Sequence, residues 1–297
     1  MPKKNPDLGL GAEIKFYNDE ITLRFSERDH AYYRIDDGVP VLVEGVTQTC
    51  GIIDKSNYLL PWACKMMAEK LLRTVPSTVP ISDGNAETLS IPWPQFEELV
   101  TEAKKAHKEK LVDAGDVGTA AHNWIEDSIR AAIRNNQGVV ENLTLPAPAD
   151  ERAQNCGHAA LDWMKENKVV WKNTEHKIYS REWKYAGTMD GLALVNNRLA
   201  VVDWKTSNYL RTDYLLQTAA YLKAHVEEFG DNILDRHILR LGKEDADFEP
   251  WHLGPETLAD DFEAFKFCLL LKRRHASIEK RMAEGKKTRT LQKKAGF

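Results

Sequence analysis

The sequence predicts an α/β protein: a small central sheet, fed by a helical amino-terminal half and backed by carboxy-terminal helices. Three observations carry this. Apolar residues recur at helical spacing through most of the stretch from Asn57 to Val169, change to strand-like alternation from Val170 to Lys205, and return to helical spacing from Thr212. A chain of 297 residues is long enough to bury a large core. An apolar content of 42% with 29% charged residues is ordinary for a globular protein and excludes neither binding nor catalysis.

Residues 1–10 read as loose. ITLRFSERDHAYYRI (21–35) reads as two short strands about the polar turn Ser26-Glu27-Arg28-Asp29. GVTQTCG (45–51) reads as extended, and after Asn57 the positions Leu60, Ala63, Met67 and Leu71 predict a helix. Segment 74–94, rich in Pro, Ser and Thr, reads as a linker or surface excursion. A polar helix from Pro94 is expected to stop at Gly115. A second helix over 116–136 would bury Val117, Ala121, Ile125, Ser128 and Ala132. After the loop 141–150 comes a helix over 151–169. WKNTEHKIYS, GTMDGLALV and LAVVDWK then predict three strands, the last two joined by a three-residue turn at Asn196-Asn197-Arg198. A helix from Thr212 to Phe229 should end at Gly230. RHILRLG and FEPWHLG read as a further strand pair, and Glu256–Glu284 as a long final helix. The chain divides on this reading into a lead-in of strands and a helix (1–95), a core (96–271) and a basic helix and tail (272–297).

No apolar run approaches the roughly 20 residues that span a bilayer. The first fifteen residues lack the apolar core of a signal peptide, so a cytoplasmic location without membrane association is expected. Cys50, Cys64, Cys156 and Cys268 lie far apart with no CxxC pair, which fits reduced thiols better than a disulfide framework or zinc site. The net charge of −4 is no argument against a nucleic-acid enzyme, because metal-holding acids offset phosphate-holding bases. Its distribution is uneven: from Lys272 onward ten Lys or Arg stand against two Glu. Lys272, Arg273 and Arg274 open this basic tail, which suits phosphate contacts without sequence preference as well as it suits a solvated helix face. Tyr58, Trp62 and Tyr209 could stack on bases or simply pack.

The chemistry centres on two strands. Asp190 lies in GTMDGL and Asp203 and Lys205 in VVDWKTS, where alternation puts Asp203 and Lys205 on one face and Val202 and Trp204 on the other. Two carboxylates from adjacent strands with an ammonium beside them make a site for a divalent cation and an activated water, the set that phosphodiester hydrolysis needs. Asp203 follows the apolar run LAVV, so an unpartnered carboxylate there would be costly and Lys205 is its natural companion. Gln217 and Tyr221, at i and i+4, share a helix face, as do His122 and Glu126. Each pair alone is ordinary core or surface chemistry, and Glu175 alone is an ordinary strand residue.

The order Gly118-x₃-His122, Gly187-Thr-x-Asp190, Asp203-x-Lys205-Thr206 and Gln217-x₃-Tyr221 resembles the RecB-like branch of the PD-(D/E)XK nuclease superfamily, over roughly residues 115–225. HAYYRI…GVTQTCG…LLPWA resembles the lead-in of its phage-type and mitochondrial-genome-maintenance-type exonucleases. The resemblance implies a restriction-endonuclease-like core with a mixed sheet. It implies catalytic roles for Asp190, Asp203, Lys205, Gln217 and Tyr221, and Mg²⁺ or Mn²⁺ on Asp190, Asp203, the Trp204 carbonyl and His122. Glu126 and Glu175 would be accessory, and Thr206, Lys272, Arg273 and Arg274 would contact DNA. Where the wider superfamily often has Glu, this chain has Asp203. Relatives with an iron–sulfur cluster carry three late cysteines; here only Cys268 follows Tyr221, so no cluster is expected. The implied activity is a DNA exonuclease of the phage recombination or processing type, with DNA and a single-strand annealing protein as partners. A structure- or sequence-specific endonuclease and a non-catalytic DNA-binding protein are the alternatives.

Overall fold

A computed structural model describes residues 8–78, 91–144, 146–233 and 235–294, without the side chains of 76–78 and 286–294. Most of the 74–94 linker therefore lies outside the described residues, as do residues 1–7 of the loose start and the side chains of Lys286, Lys287, Arg289, Lys293 and Lys294. The chain forms two compact units, Met1–Ile53 with Ala121–Phe297, and Asp54–Ala120. These units cut the chain elsewhere than the 95/96 and 271/272 boundaries read from the sequence, because the first strands pair into the same sheet as the later ones.

The smaller unit holds α2 (Ser56–Thr78), α3 (Trp93–Ala103) and the beginning of α4 (Ala106–Asn135); the short α1 (Val46–Cys50) precedes it. Within it Lys70 meets Glu109 at 3.4 Å and the Trp62 ring sits edge-on to His107. The expected stop at Gly115 does not occur; α4 runs through it and the break falls at Lys104-Lys105. A mid-helix glycine costs about 1 kcal/mol against alanine but ends a helix only where the backbone turns left-handed. Gly115 is not among the residues with positive φ, whereas Gly230, at φ 70°, does end its helix.

The larger unit carries a nine-stranded mixed sheet: β1 (Leu10–Phe16), β2 (Ile21–Ser26), β3 (Ala31–Asp36), β4 (Val39–Gly45), β5 (Val170–Ser180), β6 (Tyr185–Val195), β7 (Arg198–Lys205), β8 (Asp235–Leu241) and β9 (Phe248–Leu253). It is larger than the small sheet expected, because residues 10–45 supply four strands in successive antiparallel pairs where two, over 21–35, were expected. Asp37-Gly38 closes β3 onto β4 and Asn196-Asn197 closes β6 onto β7. In both turns the two central residues have positive φ, the geometry that matches strand twist in a two-residue hairpin. Arg198 is the first residue of β7, paired with Val195, so the turn is one residue shorter than expected.

Residues 46–50 were expected to be extended, on their β-branched content, but form the single turn α1. Packing decides here: Val46 and Cys50, at i and i+4, are buried in the main core, and Thr49 Oγ1 donates back to the Gly45 carbonyl.

Helices α5 (Glu151–Glu166), α6 (Asp213–Phe229) and α7 (Leu258–Lys294) flank the sheet. α5 starts where the Asp150 carboxylate accepts from Arg152 N–H. Its Trp163 packs against Trp204 of β7 and His237 of β8, which fixes the face that α5 covers. On the other face Ile238 packs against Leu210 and, from α6, Tyr214. The α/β class, with a central mixed sheet between helices, is therefore the one the sequence predicts. No described helix is long and apolar enough to cross a membrane. None of the four cysteines is joined in a disulfide.

Strand β6 positions the site. Along one edge it pairs with β5 from end to end. Along the other it pairs with β4 at Tyr185 and Ala186 and with β7 from Gly191 onward, leaving 187–190 outside both ladders. The carboxyl ends of β4 and β7 flank this opening.

Candidate active site

The last rung of the β6–β7 ladder is Gly191↔Val202. The next opposed positions are Asp190 and Asp203, and opposed residues of an antiparallel pair share a face. Beyond that rung Asp190 takes over the hydrogen bonding of the parted strand: its Oδ2 accepts from Trp204 N–H at 2.7 Å. Thr174 Oγ1 of β5 donates to the Asp190 carbonyl at 3.0 Å, which anchors the residue from its other side.

Asp203 and Lys205 stand on the α6 face, while Trp204 between them is driven against Trp163 and Trp171. The Asp203 side chain is 1% exposed. Its Oδ2 lies in ion-pair contact with Lys205 Nζ, so the buried carboxylate is held against an ammonium. Lys205 Nζ also lies 4.8 Å from the centre of the Tyr214 ring, a cation–π contact that holds its stem along α6.

The electrostatics follow from burying two carboxylates beside one ammonium. Burial pushes Asp190 and Asp203 up to about 6 each, Lys205 opposing the rise and neighbouring carboxylates adding to it. Burial alone would favour neutral Lys205, but Asp203 and Asp190 outweigh it and raise its pKa. The cluster thus holds an ammonium firmly charged and still carries surplus negative charge.

His122, on α4, brings Nδ1 to 3.9 Å from Asp190 Oδ2. Burial and the Lys205 charge depress its pKa to about 4, which leaves a neutral imidazole at neutral pH. Glu126 sits one turn further along, paired with Arg130, its pKa raised by burial and by the charge of Glu175. Glu175 stands on β5 between Thr174↔Gly191 and His176↔Met189, alongside Asp190, with left-handed φ of 49° and Lys177 at 3.6 Å.

Gln217 and Tyr221 brace the opening rather than bond to the carboxylates. Gln217 Nε2 donates to Tyr221 Oη at 2.8 Å and to Thr47 Oγ1 of α1 at 3.2 Å, so α1 and α6 are joined at this point. The Tyr221 ring lies over Gly187, where a Cβ would stand 2.7 Å from Cε1, so only glycine fits without a shift. Thr206 follows β7, half-exposed.

The three basic residues named on α7 have other surroundings. Arg273 donates to the carbonyls of Trp183 and Lys184 at 2.8 and 2.9 Å and pairs with Glu44 at 3.0 Å, tying α7 to β4 and the start of β6. Lys272 is half-buried, with its pKa lowered by that burial, and Arg274 is exposed.

Sequence reasoning missed two contacts at the opening. Thr47 bonds to Gln217, and the Tyr32 hydroxyl of β3 bonds to Thr188 Oγ1, two residues before Asp190. Both lie in the amino-terminal stretch singled out by resemblance, but nothing in the residues themselves marked them as partners of β6 and α6.

Among the described residues no three His, Cys, Asp or Glu side chains converge as a closed metal site. The donors nevertheless fit a hard divalent cation: two opposed carboxylates, surplus negative charge and a neutral imidazole nearby. Mg²⁺ is commonly held by one or two carboxylates, with waters and substrate phosphate filling the rest.

No protein-family model matches the chain, and no curated protein does. Among solved structures it is similar to an alkaline exonuclease from Laribacter hongkongensis, with 14% identity and a TM-score of 0.32 over 49% of this chain and 78% of that one.

Proposed function

We propose that this chain is a divalent-metal-dependent nuclease that hydrolyses phosphodiester bonds of DNA from an end. The observation that carries the reading is the opposition of Asp190 and Asp203 at the rung where β6 and β7 part, with Lys205 on the same face and in contact with the buried Asp203 carboxylate. Surface ion pairs on a hairpin do not require two carboxylates to be buried against one lysine, whereas a metal-assisted phosphate-cleaving centre uses all three.

Asp190 and Asp203 would hold Mg²⁺ or Mn²⁺, with the Trp204 carbonyl and neutral His122 as further donors; what the ion supplies when bound is Lewis acidity at the scissile phosphate. Trp204 N–H fixes the orientation of the Asp190 carboxylate. Lys205, kept charged by both carboxylates, donates to a phosphate oxygen and orients the attacking water. That water adds to phosphorus, the ester P–O bond breaks, and the proton passes to the leaving oxygen. Glu126 and Glu175 deepen the negative charge on the His122 side, while Gln217, Tyr221 and Thr47 hold the opening in shape. The part assigned to DNA ends rests on the resemblance of His122, Gln217, Tyr221 and the amino-terminal stretch at residues 30–66 to end-processing nucleases.

The test is purified protein with Mg²⁺ or Mn²⁺ on end-labelled linear DNA and on covalently closed circles. Linear DNA should be degraded and closed circles spared. Cutting of circles at the same rate removes the end requirement and leaves the hydrolase standing; no cutting of either substrate with either metal refutes the whole reading.

A further inference from the structure

Helix α7 has two apolar faces. Leu258, Phe262, Phe265 and Leu269 recur at helical spacing and pack into the main core. About half a turn around the helix runs a second apolar line, formed by Phe267, Leu270, Leu271, Ile278 and Met282, which is open to solvent: Phe267 is 63%, Leu271 59% and Met282 60% exposed. A helix apolar on both sides is normally covered on both sides, and large apolar side chains exposed along one helix line mark an interaction surface.

The charges on this outer line are ordered. It is preceded by Asp260 and Glu263, carries Arg274 in its middle, and runs on through Arg281. From Asp260 to Met282 the line is about 33 Å long at 1.5 Å per residue.

We propose that the outer face of α7 is covered by α7 of a second copy of this chain, laid antiparallel. A two-fold axis near residue 272 sets Phe267 against the second copy's Ile278 and Glu263 against its Arg281, and the same contacts repeat on the other side of the axis. A two-fold contact must be self-complementary in this way. Parallel pairing fails on the same residues, because it stacks Glu263 on Glu263 and Arg281 on Arg281. Nucleic acid is a poor occupant: Phe267, Leu271 and Met282 offer nothing to phosphate, and Asp260 and Glu263 repel it. The inference stands apart from the nuclease reading and survives if that reading fails.

Sedimentation equilibrium on the full chain tests it, with far-UV circular dichroism to confirm that each variant folds. The wild type should show a monomer–dimer equilibrium. Leu271→Glu, which alters no core contact, should raise the dissociation constant at least about tenfold, close to 1.4 kcal/mol. Glu263→Arg and Arg281→Glu should each weaken the dimer, and the double variant should restore it, a rescue that non-specific apolar association would not show. A wild type that stays monomeric through the micromolar range overturns the proposal, and so does a double reversal that stays weak. If Arg274→Glu with Arg281→Glu lowers affinity for labelled duplex DNA and leaves self-association unmoved, the face belongs to nucleic acid and the dimer is refuted.

Discussion

Asp203→Asn is expected to make the metal-free protein more stable at pH 8 while destroying its site. The ordinary pKa of the group is 3.8, and burial raises it to about 6, with Lys205 opposing and Asp190 adding to the rise. Between those two values the folded state binds more protons than the unfolded one, so the stability contributed by this group falls as pH rises through that window. Above it the ionised form carries the full penalty. A rise from 3.8 to about 6 is worth about 3 kcal/mol at ~1.4 kcal/mol per pH unit. Part of that is repulsion shared with Asp190, which leaves about 1–3 kcal/mol assignable to Asp203. An amide keeps the shape of the neutral acid and cannot ionise, so it escapes the penalty. The Lys205 contact is already contained in the shifted pKa and is not counted again. Chemical denaturation in EDTA should place the variant about 1–3 kcal/mol above wild type at pH 8, with the gap narrowing as pH falls below about 6 and closing only below the ordinary value of 3.8. Addition of Mn²⁺ should reverse the order, because only the wild type gains binding free energy in the folded state. A variant less stable than wild type at pH 8 in EDTA would show that Asp203 serves the fold through its pair with Lys205, and the argument for a metal-holding carboxylate would fail.

Two further outcomes follow from the same geometry. Lys205→Ala and Asp190→Ala should each lower DNA cleavage at least about a thousandfold, near 4 kcal/mol of barrier, with the circular dichroism spectrum unchanged; cleavage at the wild-type rate by either purified variant removes it from the catalytic set. Gly187→Ala would bring a Cβ to 2.7 Å from Tyr221 Cε1 and 3.1 Å from Val46 Cγ2, so the ring must leave its place beside Gln217. Overpacking of that kind costs about 1–3 kcal/mol, and an unaltered denaturation midpoint would show that the Tyr221 brace yields freely.

Much of the fold was legible because periodicity and punctuation agreed. Asp150 capped α5, Gly230 ended α6, and the alternating runs after Val170 became β5, β6 and β7. The failures share one physical form, in which a local preference lost to packing. Val46 to Cys50 looks extended residue by residue, yet Val46 and Cys50 buried together make a helical turn of it. Gly115 looks like a stop, yet nothing turns the backbone left-handed there and α4 continues. Thr47 and Tyr32 could not be read as parts of the site, because their partners lie about 170 and 156 residues away and only the sheet brings them together.

The site itself turns on a single residue of register. Alternation puts Asp203 and Lys205 on one face, but it says nothing of which face Asp190 takes on the neighbouring strand. A three-residue turn that included Arg198 would pair Val195 with Leu199 and set Asp203 opposite Gly191, leaving Asp190 on the other face of the sheet. The turn has two residues. Asn196 and Asn197 both adopt left-handed backbone, at φ 47° and 69°, a conformation that asparagine tolerates better than most side chains and that a tight hairpin of matching twist requires. Val195 therefore pairs with Arg198, Gly191 with Val202, and Asp190 comes to face Asp203. Two asparagines well removed from the carboxylates, and with no chemical role, decide whether those carboxylates meet.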